Sequence, residues 1–128
     1  MVFLYFDGSS KPNPGKMRIG FVILDENGNV LKRCSKTLAY GTNNMAEYLA
    51  LLEGLEEVLR FGEKEVVVRG DSRLVIKQLK NEYKVKSENL KPIYEKVKNI
   101  LKKFERVHLE WVSEKENKLA HDLANMEV

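Results

Sequence analysis

Ahead of Asn44 the apolar residues of this 128-residue chain come in short β-branched and aromatic runs, whereas from Asn44 onward they recur at helical spacing. "VFLYFD" stops at Asp7-Gly8 and runs into the turn-rich "KPNPG", so it reads as a strand with Asp7 at its end. "RIGFVILD", "ENGN" and "VLKRCSKTLA" read as a hairpin, with Asn27-Gly28 supplying the positive φ angles of a tight turn. Met45, Tyr48, Leu49, Leu52, Leu55 and Leu59 then mark one face of a helix closed by Phe61-Gly62. "EVVVRGD" is short and β-branched, a buried strand ending near Asp71. Leu74, Val75, Gln78 and Leu79 mark the inner face of a second helix, and Leu90, Ile93, Val97, Ile100, Leu101 and Phe104 define the clearest amphipathic helix. "VHLEWV" alternates Val107, Leu109 and Trp111 against polar partners as a last strand, which makes Trp111 a core residue. "KLAHDLANM" opens a closing helix.

The order β-β-β-α-β-α-α-β-α predicts an α/β fold. It contains a single mixed five-stranded sheet, three antiparallel strands followed by two parallel ones, with helices on both faces. No repeat or interdomain linker interrupts it, and residues 1–128 are expected to form one domain. A composition of 43% hydrophobic and 32% charged residues is that of a soluble globular protein. The amino terminus has no basic lead-in and too short an apolar run for a secretory signal or a membrane span. Cys34 is the only cysteine, which excludes an internal disulfide and thiolate metal clusters. The expectation is a cytoplasmic monomer with no membrane association.

Net charge is only +3, but from Lys77 to Arg106 ten Lys or Arg face four Glu, a local +6 that leaves −3 for the rest. That asymmetry suits a phosphate-binding flank beside an acidic site, and equally a solvated helix surface. In open α/β sheets ligands gather beyond the carboxyl ends of parallel strands, where Asp7 and Asp71 are both expected. Glu47, in the first turn of the first long helix, should reach the same edge. Each acid also has a structural explanation. Asp7 suits a turn, Glu47 suits an Asn44-x-x-Glu47 capping box, and Asp71 suits the N-cap of the helix beginning at Ser72. Three acids converging without a basic partner need a cation, and an oxygen-rich site suits Mg²⁺ or Mn²⁺.

These segments resemble type 1 ribonuclease H. "DGSSKPNPG" looks like that family's first-strand motif, "TNNMAEY" like its helix start, "GDSRLVIKQL" like its Asp-Ser motif, "NLKPIYEKV" like the next helix, and "EWVSEKENKLAHDLA" like its last strand and closing helix. The resemblance implies an RNase H-like fold and an endonuclease that cuts the RNA strand of an RNA–DNA hybrid, leaving 5′-phosphate and 3′-hydroxyl ends. It implies two divalent metal ions, one activating water and one stabilising the departing 3′ oxygen, with Asp7 bridging them and Glu47 and Asp71 completing the shell. Gly8, Ser9, Asn43, Asn44 and Ser72 match substrate-contacting positions, and Asn13 and Thr42 are candidates near a phosphate. Contact with a 2′-hydroxyl would select the RNA strand. "KNEYKVKSENLKP" is too short for the basic, Trp-rich protrusion of longer members, so substrate grip should be weak and salt-sensitive.

The family's closing pattern is Asn, three residues, catalytic Asp, one residue, Leu-Ala. Counted from Asn117 and back from Leu123-Ala124, that slot holds His121, with Asp122 one residue late. Periodicity does not choose between them, because both flank the stripe of Leu119, Ala120, Leu123 and Met126. Register favours His121 as the fourth catalytic and metal-binding residue. An imidazole binds metal only when neutral and is a softer donor than a carboxylate, which predicts better support by Mn²⁺ than by Mg²⁺ and loss of activity on protonation. Glu114, Lys115 and Glu116 occupy the loop before the closing helix, with nothing in the sequence choosing among them. Ser9 and Ser72 lack a His-Asp relay, and His108 reads as structural. The competing readings are a related nuclease acting on double-stranded RNA or other structured nucleic acid, and a hybrid-binding module that does not cut.

Overall fold

A computed structural model describes residues 1–126. The elements are β1 (Val2–Ser10), β2 (Gly15–Leu24), β3 (Val30–Gly41), α1 (Asn43–Arg60), β4 (Glu65–Gly70), α2 (Arg73–Leu79), α3 (Lys91–Leu101), β5 (Arg106–Trp111) and α4 (Lys118–Ala124). They form one five-stranded sheet in the order β3-β2-β1-β4-β5. The first three strands pair antiparallel, and β4 and β5 join as parallel strands. Element order and mixed topology therefore follow the sequence expectation.

Alternation along the strands separates two faces. Val2, Leu4 and Phe6 of β1 and Met17, Ile19, Phe21 and Ile23 of β2 pack with Tyr48, Leu51, Leu55 and Val58 of α1 and Val97 and Ile100 of α3 in the main core. The opposite face receives α4, which lies mainly across β2 and β1 and buries Ala120, Leu123 and Ala124. That crossing requires Gly20, because a Cβ there would sit 2.4 Å from the Ala124 nitrogen and 2.6 Å from the Ala120 carbonyl oxygen. Gly20 is the cross-strand partner of Asp7, so the helix is laid directly beside that carboxylate. None of the described helices is long and apolar enough to cross a membrane.

Four local expectations are corrected. Asp7 does not end its strand: the parallel ladder with β4 stops at Phe6 and Gly70, but the antiparallel ladder with β2 carries β1 on to Ser10. The β2–β3 connection is a loop over Asp25–Asn29, closed by Asp25 N–H to Asn29 O at 2.9 Å. Only Gly28 there has a positive φ, at 83°, because the Asp25 carboxylate accepts the Asn27 and Asn29 amides and stabilises the wider loop. Leu74 is exposed and Ile76 is buried, a one-position rotation of the short helix α2. Trp111 is 39% exposed: alternation sets which side of β5 it takes, but at the end of an edge strand it lies outside the core that partly covers Val107 and Leu109.

Candidate active site

β1 and β4 run in parallel register, Phe6 opposite Gly70, so the next residues along, Asp7 and Asp71, emerge together at the carboxyl edge of the sheet. Asp7 faces α4, as its partner Gly20 does, and its Oδ2 lies 3.0 Å from His121 Nδ1. Ligand-capable atoms of Asp7, Asp71 and His121 all lie within 4.8 Å of one another. Asp122, the alternative to His121, is turned outward and paired with Lys118 at 2.8 Å.

Glu47 arrives from the other face. Gly8 lets α1 approach β1 so closely that a Cβ would lie 2.3 Å from the Ala46 carbonyl carbon, and its N–H donates to Glu47 Oε1 at 2.6 Å. The helix cap is Thr42, whose hydroxyl accepts the Met45 amide at 3.2 Å. Glu47 is thus aimed at β1 and is not half of a capping box with Asn44. Ser72 likewise caps α2 by accepting the Val75 amide at 3.3 Å, which leaves the Asp71 carboxylate out of the cap.

The cluster resists its own negative charge. Burial, followed by the proximity of Asp7 and Asp71, pushes the Glu47 carboxyl well above the ordinary carboxylate range. Burial also raises Asp71, with Asp7 adding to the effect and a hydrogen bond from Asn117 opposing it. The two carboxylates and the imidazole that converge here match the donor set of a divalent cation, which would offset the penalty on Glu47 and Asp71.

Asp7, Gly8, Ser9, Asn43, Asn44, Glu47, Asp71 and His121 line one open cleft of about 320 Å³. Asn43 braces it by accepting the Ser10 amide at 2.6 Å, while Asn13 accepts the Asn43 amide at 3.0 Å. Asn13, Thr42 and Ser72 are not among the lining residues, and each supports a neighbouring backbone. Lys11, Glu114 and Asn125 also line the cleft. Glu114 Oε1 is 3.3 Å from His121 Nε2, which singles it out from its loop neighbours. Asn125 Nδ2 donates to the His121 carbonyl at 2.7 Å and Lys11 donates to Asn125 Oδ1 at 2.8 Å. Sequence reasoning used Asn117 only as a counting anchor. It is buried, and its Nδ2 donates to the Phe6 carbonyl at 2.9 Å, tying the start of α4 to the strand that carries Asp7.

Residues 5–127 match the family described as reverse transcriptase-like. The chain is 34% identical to the N-terminal RNase H domain of a bifunctional Mycobacterium tuberculosis protein. That match covers 97% of this chain and 95% of the solved domain at a TM-score of 0.93. RNase H1 of Halobacterium salinarum gives 35% identity over 97% and 94% of the two chains, also at 0.93. The chain belongs to the type 1 ribonuclease H family. A third relative, LC11 RNase H1 solved with an RNA/DNA hybrid, is 37% identical over 98% of this chain and 94% of that one, at a TM-score of 0.91. This chain spans 34% of the full-length mycobacterial protein and 62% of the full-length halobacterial one.

Proposed function

We propose that this chain is a metal-dependent endoribonuclease that hydrolyses the RNA strand of RNA–DNA hybrids, leaving 5′-phosphate and 3′-hydroxyl ends, with residues 1–128 acting as one catalytic domain in the cytoplasm. The observation that carries the proposal is the meeting of Asp7, Asp71 and His121 within 4.8 Å at the parallel strand ends of an RNase H fold. Asp7, Glu47, Asp71 and His121 are the residues proposed to hold two divalent ions. When bound, Mg²⁺ or Mn²⁺ would supply Lewis acidity to the phosphate and an activated water.

The chain's own groups set the geometry. The Gly8 amide fixes the Glu47 carboxylate, Asn117 ties α4 to β1, and Gly20 admits the helix that delivers His121. Gly8, Ser9, Asn43 and Asn44 line the cleft and are the proposed contacts to the hybrid's sugar edges, with a 2′-hydroxyl identifying the strand to be cut. Ser72, Asn13 and Thr42 are proposed to act on substrate through the backbone they brace. Because His121 replaces a carboxylate with a neutral, softer donor, Mn²⁺ is proposed to support turnover better than Mg²⁺.

The test is a panel of labelled RNA–DNA hybrid, duplex RNA and duplex DNA, each with Mg²⁺, Mn²⁺ or excess chelator. Cleavage of the hybrid's RNA strand with Mn²⁺, absent in chelator, is expected. Cutting of duplex RNA in preference to the hybrid would reassign the substrate, and hybrid bound but never cut would make this a binding module.

A further inference from the structure

Trp111 is the chain's only tryptophan and stands apart from the buried core. Its indole N–H donates to the main-chain carbonyl of Asp71 at 3.0 Å. The Arg73 guanidinium lies over its ring, 3.8 Å from the centroid, and holds the ring in place from the first turn of α2. Asp71 sits at a weak point in the backbone. The β4–β5 ladder ends at the Gly70–Trp111 pair, Val112 N–H adds one bond to the Gly70 carbonyl at 2.9 Å, and α2 is capped from Ser72. Asp71 is the residue between sheet and helix, where a small rotation of its peptide would swing its carboxylate away from Asp7 and His121.

We propose that Trp111 is a positioning residue for the metal centre: its N–H, braced by Arg73, fixes the Asp71 backbone and thereby the direction of the Asp71 carboxylate. The proposal rests on the metal-binding reading of the site. It also accounts for an aromatic residue left 39% exposed at the end of an edge strand, beside a charged cleft. A hydrogen-bond partner behind a metal ligand is worth about 10- to 100-fold in metal affinity.

Trp111→Phe removes the donor and leaves a smaller ring for Arg73. Because the tryptophan is single, growth on benzothienylalanine, which puts sulfur in place of N–H, removes the donor alone at this one site and keeps the full ring, and 5-fluorotryptophan restores the donor. Mn²⁺ affinity, read by calorimetry without substrate, should fall about 10- to 100-fold for both donor-less proteins and stay at the wild-type value with 5-fluorotryptophan. kcat at limiting Mn²⁺ should fall with it and recover as Mn²⁺ is raised, while KM for hybrid stays constant. Leu109→Ala, which weakens β5 away from Asp71, should lose melting temperature and keep its Mn²⁺ affinity. Wild-type affinity in Trp111→Phe overturns the proposal, as does an equal loss in Leu109→Ala. A wild-type protein that binds Mn²⁺ yet cuts no hybrid removes the proposed function, and a Trp111→Phe loss in that protein still supports the positioning role.

Discussion

The two ends of the sheet each hold one of the chain's two histidines against a carboxylate, and they treat charge in opposite ways. At the amino-terminal end, His108 pairs with Glu65 at 2.8 Å and the Met1 amino group reaches Glu26 and Glu63 at 3.2 and 3.4 Å. The hydrogen bond from His108 holds Glu65 below the ordinary carboxylate range, and the bond to Glu26 raises the amino group. That end has a larger hollow, about 470 Å³, lined by Met1, Glu63, Lys64, Glu65, Glu105 and Arg106. At the carboxyl end the hollow is smaller, and Glu47 and Asp71 are driven the other way by burial and by the neighbouring Asp7 charge. Size does not mark a site. Carboxylates whose neighbours oppose their charge do, because a bound cation offsets the cost of keeping them ionised.

The contrast breaks most sharply by substitution. Asp7→Asn or Asp71→Asn should lower hybrid cleavage by about 10³-fold or more, since several kcal/mol of charge stabilisation depends on these groups. Glu65→Gln and His108→Ala at the other end should leave cleavage unchanged in the same initial-rate assay. Comparable losses at both ends would erase the distinction.

A second comparison concerns the adjacent pair on α4. His121→Ala should cost about 10²-fold in Mn²⁺-supported rate, whereas Asp122→Ala, which removes only an exposed partner of Lys118, should change it by less than about twofold. His121→Asp should shift metal preference back toward Mg²⁺.

Smaller again is the effect of pH on stability. Glu47 and Asp71 titrate above their unfolded values, so the folded metal-free protein binds their protons more tightly. Their contribution is present below the ordinary carboxylate value of about 4 and is lost as pH rises through their raised values. The metal-free melting temperature should therefore fall across that window, Glu47→Gln should flatten the fall, and Mn²⁺ should restore stability at neutral pH. A Glu47→Gln profile with the wild-type slope would show that the cluster is not the source.

Element order was legible because hydrophobic period is a local property, and the carboxyl-edge placement of Asp7 and Asp71 followed from it. Long-range geometry was not. The extension of β1 past Asp7 depends on β2 continuing as an antiparallel partner after β4 stops. Trp111 alternates as a core residue should, yet nothing local reports that the core ends before it. Periodicity placed His121 and Asp122 equally. What separates them is that α4 rests on Gly20, which turns His121 toward Asp7 and leaves Asp122 outward. Asn117 and Glu114 join the site through contacts across the fold, with Phe6 and His121 respectively, that carry no signature in spacing.

Anomalous diffraction from crystals of this chain grown with Mn²⁺ locates the metal itself. A manganese peak coordinated by Asp7, Asp71 and His121, lost in Asp7→Asn crystals, is expected. Manganese bound through Asp122 with His121 turned away, or none at this edge of the sheet, would contradict the metal-binding reading of the site.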